Sequence, residues 1–275
     1  MGFTLLNGLH GLAADAESSW PLHVIDKSSR GADGVRVADV NRDGLPDLTT
    51  GWEEGGKVRV YLHPGPSRVR SPWPSVTAGQ VPTPEDAVFA DLDQDGNSDV
   101  VSCCEGRERS VYVHWAPNAR DRYLDSEAWQ TRVLPATASS QMWMFALPMQ
   151  IDGGGGMDLV VGSKGEIASI SWLQSPRAPR RMDDWRLHRL CDAGWIMSLR
   201  AHDMDGDGDH DVLATDRKGA QRSVLWLENP GTDIAAAGRP WNRHQIGASD
   251  REFMFLAVGD LNQDHMDEII CAVKD

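Results

Sequence analysis

An all-β fold made of five copies of one antiparallel unit is what this 275-residue sequence predicts, and three features predict it. An aspartate-rich nonapeptide recurs along the chain, a tryptophan recurs in phase with it, and short runs of alternating apolar and polar residues lie between the two. The nonapeptide reads DVNRDGLPD at 39–47, DLDQDGNSD at 91–99, DMDGDGDHD at 203–211 and DLNQDHMDE at 260–268, with a worn copy, QIDGGGGMD, at 150–158. Successive starts are 52, 59, 53 and 57 residues apart, the signature of an internal repeat.

Each full copy has the chemistry of a calcium loop. Oxygen ligands at positions one, three and five, a backbone carbonyl at seven and a carboxylate at nine can wrap one hard cation, and glycine at six makes the sharp turn. In the first copy these are Asp39, Asn41, Asp43, Leu45 and Asp47, and in the second Asp91, Asp93, Asp95, Asn97 and Asp99. The fourth offers Asp203, Asp205, Asp207, Asp209 and Asp211. The fifth offers Asp260, Asn262, Asp264, Met266 and Glu268, with His265 where glycine belongs; histidine tolerates positive φ better than most residues. The third keeps only Asp152 and Asp158, and its glycines make the turn without an ion. A single acidic turn would say little, whereas four full patterns favour metal. The expectation is about four Ca²⁺ sites and an empty third loop.

KVRVYLH at 57–63, SVYVHW at 110–115, ASISWL at 168–173 and SVLWLE at 223–228 alternate with period two between Gly, Pro, Asn and Asp, and read as strands. Trp20, Trp73, Trp129, Trp185 and Trp241 open segments such as WPLHVI, WRLHRL and WNRHQI. Each unit is therefore strand, aspartate loop, strand, loop, strand, turn and a Trp-led outer strand. The repeat resembles the FG-GAP/VCBS class of β-propeller repeats over nearly the whole chain, which implies one four-stranded antiparallel blade per unit.

The expected fold is thus a five-bladed β-propeller in a single domain, 1–275, with blade cores at about 31–78, 79–134, 135–190, 191–246 and 247–275 plus 1–30. After Glu268 the chain supplies one more strand, IICAV, and is two strands short of a blade. FTLLNG at 3–8 aligns with VLWLEN at 224–229, and WPLHVI at 20–25 with WNRHQI at 241–246. The N-terminal strands are expected to complete the C-terminal blade and close the ring, removing two open edges; the rival is a fragment of a longer propeller.

With 40% hydrophobic residues the chain has enough apolar material for one domain of this size. No run of about 18 apolar residues predicts a membrane span. Of the 41 acidic residues, 16 fall in the four full loops, so the net charge of −14 argues for ion ligands and against nucleic acid. Cys103, Cys104, Cys191 and Cys271 lack zinc or disulfide-framework spacing and read as free thiols. The N-terminal stretch is a poor secretory signal, yet calcium loops of modest affinity suit calcium-rich fluid. The expected location is secreted or periplasmic, any leader being absent from this chain, and the expected species is a monomer.

The aspartate loops join first and second strands, and so share one face of the disc. On the opposite face, fourteen residues past each loop start stand Glu53, Glu105, Lys164, Arg217 and Lys274. Six before it stand Asp33, Glu85, Met144, Met197 and Met254, preceded by Ala32, Pro84, Trp143, Ile196 and Phe253, with Asp86 and Trp195 close by. An acidic half (Asp33, Glu53, Glu85, Asp86, Glu105) thus meets an aromatic, Met-rich half with Lys164, Arg217 and Lys274, and Asp216 and Lys218 beside them. Singly, such charges are usually solvated and such Trp and Met pack between blades; the joint change points to one asymmetric axial pocket. Arg36, Arg200 and His202 fall on first strands, lining the channel or pairing with carboxylates.

Histidines in phase with the repeat (His23, His188, His244, His63, His114) read as structural. Two function classes remain, and a third behind them. One is a module binding a small, carbohydrate-like ligand, as the resemblance to lectin-type propellers implies. The other is a lyase or dehydratase acting on a sugar or uronate, with Glu85 or Asp86 as acid or base and Lys164 or Arg217 stabilising an enolate-like charge. The third is a protein-docking propeller. Because the opposite face is not repeated, one site is expected rather than the many of a multivalent lectin.

Overall fold

The structure, a computed structural model, describes residues 20–235, 237–247 and 250–274. The period-two runs form four antiparallel four-stranded meanders. The first holds β1 (Ala32–Ala38), β2 (Asp47–Trp52), β3 (Lys57–Tyr61) and β4 (Ser75–Gln80), and the second β5 (Pro84–Ala90), β6 (Asp99–Cys104), β7 (Val111–Trp115) and β8 (Gln130–Val133). The third holds β9 (Met142–Pro148), β10 (Leu159–Lys164), β11 (Ser169–Gln174) and β12 (Arg186–Asp192). The fourth holds β13 (Ile196–His202), β14 (Asp211–Asp216), β15 (Ser223–Glu228) and β16 (Asn242–Gln245). First strands pack on first strands: β1 on β5, β5 on β9, β9 on β13. This is a β-propeller with four-stranded antiparallel blades.

The core lies between blades. Val58, Phe89, Tyr123 and Trp129 fill the first interface, Trp115, Trp143, Leu159 and Trp185 the second, and Trp172, Ile196, Leu225 and Trp241 the third. Fully burying side chains of this size is worth roughly 1.5–3 kcal/mol each. Second strands such as DVVSCC are buried on both faces, which is why they read as apolar runs rather than alternating ones.

The in-phase tryptophans open the fourth strands because their indoles pin the preceding turn. Trp73 Nε1 donates to the Val69 carbonyl (2.9 Å), Trp129 to Tyr123 (2.9 Å) and Trp185 to Pro179 (2.8 Å). His188 and His244 are held by strand ends and rings, and His63 by its turn: His188 Nε2 lies 3.0 Å from Gln174 Oε1, His244 stacks on Trp226 at 4.2 Å and meets Glu228 at 2.7 Å, and His63 Nδ1 accepts from Gly65 N (3.0 Å). His114, fully buried between Ser102 and Thr131 hydroxyls, is pushed down to about 3 by burial. Cys103 and Cys104 are buried free thiols, and Cys191 and Cys271 are half-buried ones.

The fifth unit departs from expectation. Among the described residues it is a two-stranded sheet, β17 (Glu252–Gly259) with β18 (Glu268–Lys274), packed on the fourth blade through β13 and β14. The predicted strand at 3–8 lies outside the described residues. WPLHVI is irregular rather than an outer strand, with Trp20 95% exposed. The next residues are drawn to the first blade instead: the Ile25 carbonyl accepts from Trp73 N, and Asp26 Oδ2 accepts from Arg59 (2.8 Å) and Tyr61 (2.9 Å). No helix among the described residues is long and apolar enough to cross a membrane.

Candidate functional site

Every aspartate loop joins the first two strands of its sheet and turns on two left-handed residues. Position four has positive φ in Arg42 (63°), Gln94 (60°), Gly153 (69°), Gly206 (81°) and Gln263 (61°). Position six has it in Gly44, Gly96, Gly155, Gly208 and His265 (69°). The first carboxylate caps this turn: Asp39 accepts from Asp43 N (3.1 Å) and Gly44 N (2.9 Å), and Asp260 from Asp264 N (3.2 Å) and His265 N (2.9 Å).

The ninth carboxylate has a second job that spacing alone does not reveal. Asp47 accepts from Val40 N (3.0 Å) and His63 N (2.8 Å), tying the loop to the end of the third strand. Asp99 does the same with Leu92 N and Ala116 N, Asp158 with Ile151 N and Ser175 N, and Asp211 with Met204 N and Asn229 N. Burial pushes Asp99 up to about 8 and Asp158 up to about 6, against the pull of these donors. A carboxylate oxygen has two lone pairs, so an N–H partner leaves capacity for a cation.

The donor set fits a hard divalent ion in the second and fourth loops. Carboxylate oxygens of Asp91, Asp93 and Asp95 lie within 4.8 Å of one another, as do those of Asp203, Asp205 and Asp211. Asp91 Oδ1 and Asp209 Oδ1 are buried without hydrogen-bond partners. Oxygens within 4.8 Å of one another suit a shared calcium ion, whose oxygen ligands generally lie about 2.3–2.6 Å from it. The third loop closes differently. Gln150 Nε2 donates to the carbonyls of Gly154 (3.1 Å) and Gly156 (2.8 Å), and its Oε1 accepts from Gly153 N (3.1 Å). An amide thus gathers the carbonyls of positions five and seven, and Asp152 is taken by Gly154 N and Gln174 Nε2.

On the opposite face the structure brings part of the predicted set together. Glu53, Glu85 and Glu105, from the first and second blades, have carboxylate oxygens within 4.8 Å of one another. Lys164 of the third blade reaches across to Glu85 (3.7 Å) and pairs with Glu105. Burial, and then Glu105 and Glu53, raise the Glu85 carboxyl well above the carboxylate range, with Lys164 opposing. The half-buried Trp195 ring stands next to Lys164 Nζ (4.9 Å), Arg217 (4.6 Å) and Lys218 Nζ (4.8 Å). Arg217 also binds Glu252 (2.7 Å).

Other predicted members are structural. Trp143 is fully buried in the second interface with Nε1 on the Thr137 carbonyl, so it has no face to offer a ligand. Asp86 is buried in a bidentate pair with Arg36 (3.0 and 2.9 Å) that bolts β5 to β1, which leaves it unsuited to acid–base work. Asp216 is consumed by Gly194 N and Trp195 N, holding the Trp195 turn, and Phe253, on β17, is packed against Leu213 and Val224 in the fourth interface. Asp33 and Lys274 are exposed. Lys218, which the sequence places beside Arg217, joins the site through its contact with Trp195.

Radially packed antiparallel sheets, each with an aspartate loop after its first strand, define a loop-bearing β-propeller. The sequence matches the FG-GAP-like repeat at residues 39–102 and 203–271. These spans hold the first, second, fourth and fifth loops, and the worn third falls between them. No curated protein matches the sequence. Among solved structures, the crystal structure of the V. cholerae biofilm matrix protein Bap1 aligns with a TM-score of 0.46 and 18% identity, over 92% of this chain and 37% of that one. The chain therefore spans well under half the length of that protein.

Proposed function

We propose that this chain is a calcium-stiffened binding module that holds one small, polyhydroxylated ligand, a uronate-containing sugar above all, on the face opposite the aspartate loops. The observation that carries this reading is the convergence of Glu53, Glu85 and Glu105 with Lys164 beside Trp195. Carboxylates accept from sugar hydroxyls, an indole packs on the apolar face of a pyranose, and Arg217 and Lys218 suit an acidic substituent. The residues that would hold calcium are those of the first, second, fourth and fifth loops, and its role there is to rigidify the turn between first and second strands. Such loops suit the calcium levels of extracellular or periplasmic fluid.

Calorimetry against neutral and uronic oligosaccharides tests the reading. Binding of the uronic set is expected, with at least a tenfold loss in Trp195→Ala and in Glu105→Gln. Binding that ignores both substitutions overturns it. A lyase or dehydratase reading is favoured by one observation: Glu85, its carboxyl pushed up by burial, stands 3.7 Å from Lys164 Nζ, which sets a candidate acid beside an electrostatic partner. Ultraviolet absorbance of unsaturated uronide products, lost in Glu85→Gln, separates catalysis from binding.

A further inference from the structure

We propose that Arg180 is a built-in counter-cation of the second aspartate loop and competes there with a divalent ion, so that this loop binds calcium more weakly than the fourth. The inference rests on the calcium reading above and goes beyond it by ranking the loops.

Arg180 belongs to the third blade, in the turn between β11 and β12, yet its side chain reaches into the second loop. Nε donates to Asp93 Oδ2 at 2.5 Å, and an Nη lies 3.6 Å from Asp95 Oδ2. These are positions three and five of the nonapeptide, two of the side chains a cation needs. The guanidinium is held from behind by the Trp115 ring at 4.7 Å. The position equivalent to Trp115 in the fourth blade is Glu228, which offers no such platform. The second and third loops are also joined directly: Met157 N donates to the Leu92 carbonyl (3.1 Å), and the Gln94 side chain, through Nε2, to the Gly155 carbonyl (3.4 Å). The third blade is thereby fixed where Arg180 can reach.

The fourth loop is the internal control. It carries five aspartates, and among the described residues no arginine, lysine or histidine forms an ion pair with any of them. In the second loop Arg180 neutralises two carboxylates while Asp91 Oδ1 stays buried without a hydrogen-bond partner, so the loop remains shaped for a cation that Arg180 only partly replaces. Arg180 also has room to move: together with Asp93 and Asp95 it lines a cavity of about 730 Å³ that extends to Pro117, Asn118 and Gln130.

The test is calcium calorimetry on the full chain in three forms: wild type, Arg180→Gln and Asp205→Asn. Arg180→Gln is expected to tighten one class of site about five- to tenfold, as expected for removing a competing pair worth roughly 1 kcal/mol, and Arg180→Lys to restore most of the wild-type weakness. Asp205→Asn is expected to remove the tighter class and leave the Arg180-sensitive one. Isotherms that are identical for wild type and Arg180→Gln, with calcium still bound, overturn the competition alone. An absence of calcium binding in every form overturns the calcium reading and the competition with it. Because Arg180 is 42% exposed, the substitutions leave the fold intact, which circular dichroism verifies.

Discussion

On the loop face, position nine sets a carboxylate against the same two backbone N–H groups in blade after blade: Asp47, Asp99, Asp158 and Asp211. On the opposite face, the residues fourteen past the loop start are Glu53, Glu105, Lys164 and Arg217, and their ion pairs differ from blade to blade. Glu105 and Lys164 pair with each other, and Arg217 turns to Glu252. Contacts that a blade needs in order to close recur with it. Contacts that recur nowhere are not needed to close a blade, and they gather where the first four blades meet.

The largest expected effect breaks this contrast most directly. Asp99→Ala leaves the buried Leu92 and Ala116 amides without acceptors and is expected to cost about 3 kcal/mol or more in urea unfolding with chelator present. Glu105→Ala, on the other face, is expected to cost about 1 kcal/mol. Equal losses would erase the distinction between the faces. Next comes calcium. Saturation at about 100 times Kd adds roughly 2.7 kcal/mol per site and is expected to raise Tm by about 5–10 °C over the chelated protein. Asp207→Asn should shrink that rise and Asp152→Asn leave it untouched. A third, smaller effect sharpens the contrast from the other side: Lys218→Ala is expected to weaken uronate binding about fivefold, measured by calorimetry, while Tm stays within a degree or two.

The smallest effect is on pH. Glu85 has its carboxyl raised from 4.5 to about 8, so between those values the folded chain binds more proton than the unfolded one. Stability from this group is therefore full below pH 4.5 and declines as pH rises towards 8. His114 acts in the opposite sense, because its folded value lies near 3. The stability it withholds from the protonated form is lost as pH falls below 6.5. Glu85→Gln should flatten the alkaline side of a Tm-against-pH profile and leave the acid side alone; an unchanged alkaline side would mean that Glu85 ionises normally.

Much of this architecture was legible in the sequence. The period-two runs located β3, β7, β11 and β15, the tryptophans located the fourth strands, and His265 does sit at positive φ in the glycine position. The site was only half legible. Loop-start charges on one face identified Glu53, Glu85, Glu105 and Lys164 as neighbours because a propeller brings equivalent positions to its axis. Residue type did not reveal that Trp143 would be swallowed by a blade interface, or that Asp86 would be held by Arg36 fifty residues earlier. Those outcomes depend on which neighbour a side chain finds across a blade boundary, and spacing along the chain does not encode it. Arg180 is a sharper case: a turn residue in one unit becomes the ion partner of another, and no periodicity points to it.

The double duty of position nine has a consequence for how such chains can change. Asp158 keeps its backbone clasp while Gln150 draws the loop shut, so on the calcium reading proposed above ion binding is separable from blade integrity. A unit would then give up its metal by altering positions one, three and five and still fold, provided the last carboxylate stays. The number of ions would be adjustable one blade at a time, like removable pins in a hinge whose leaves are held by something else.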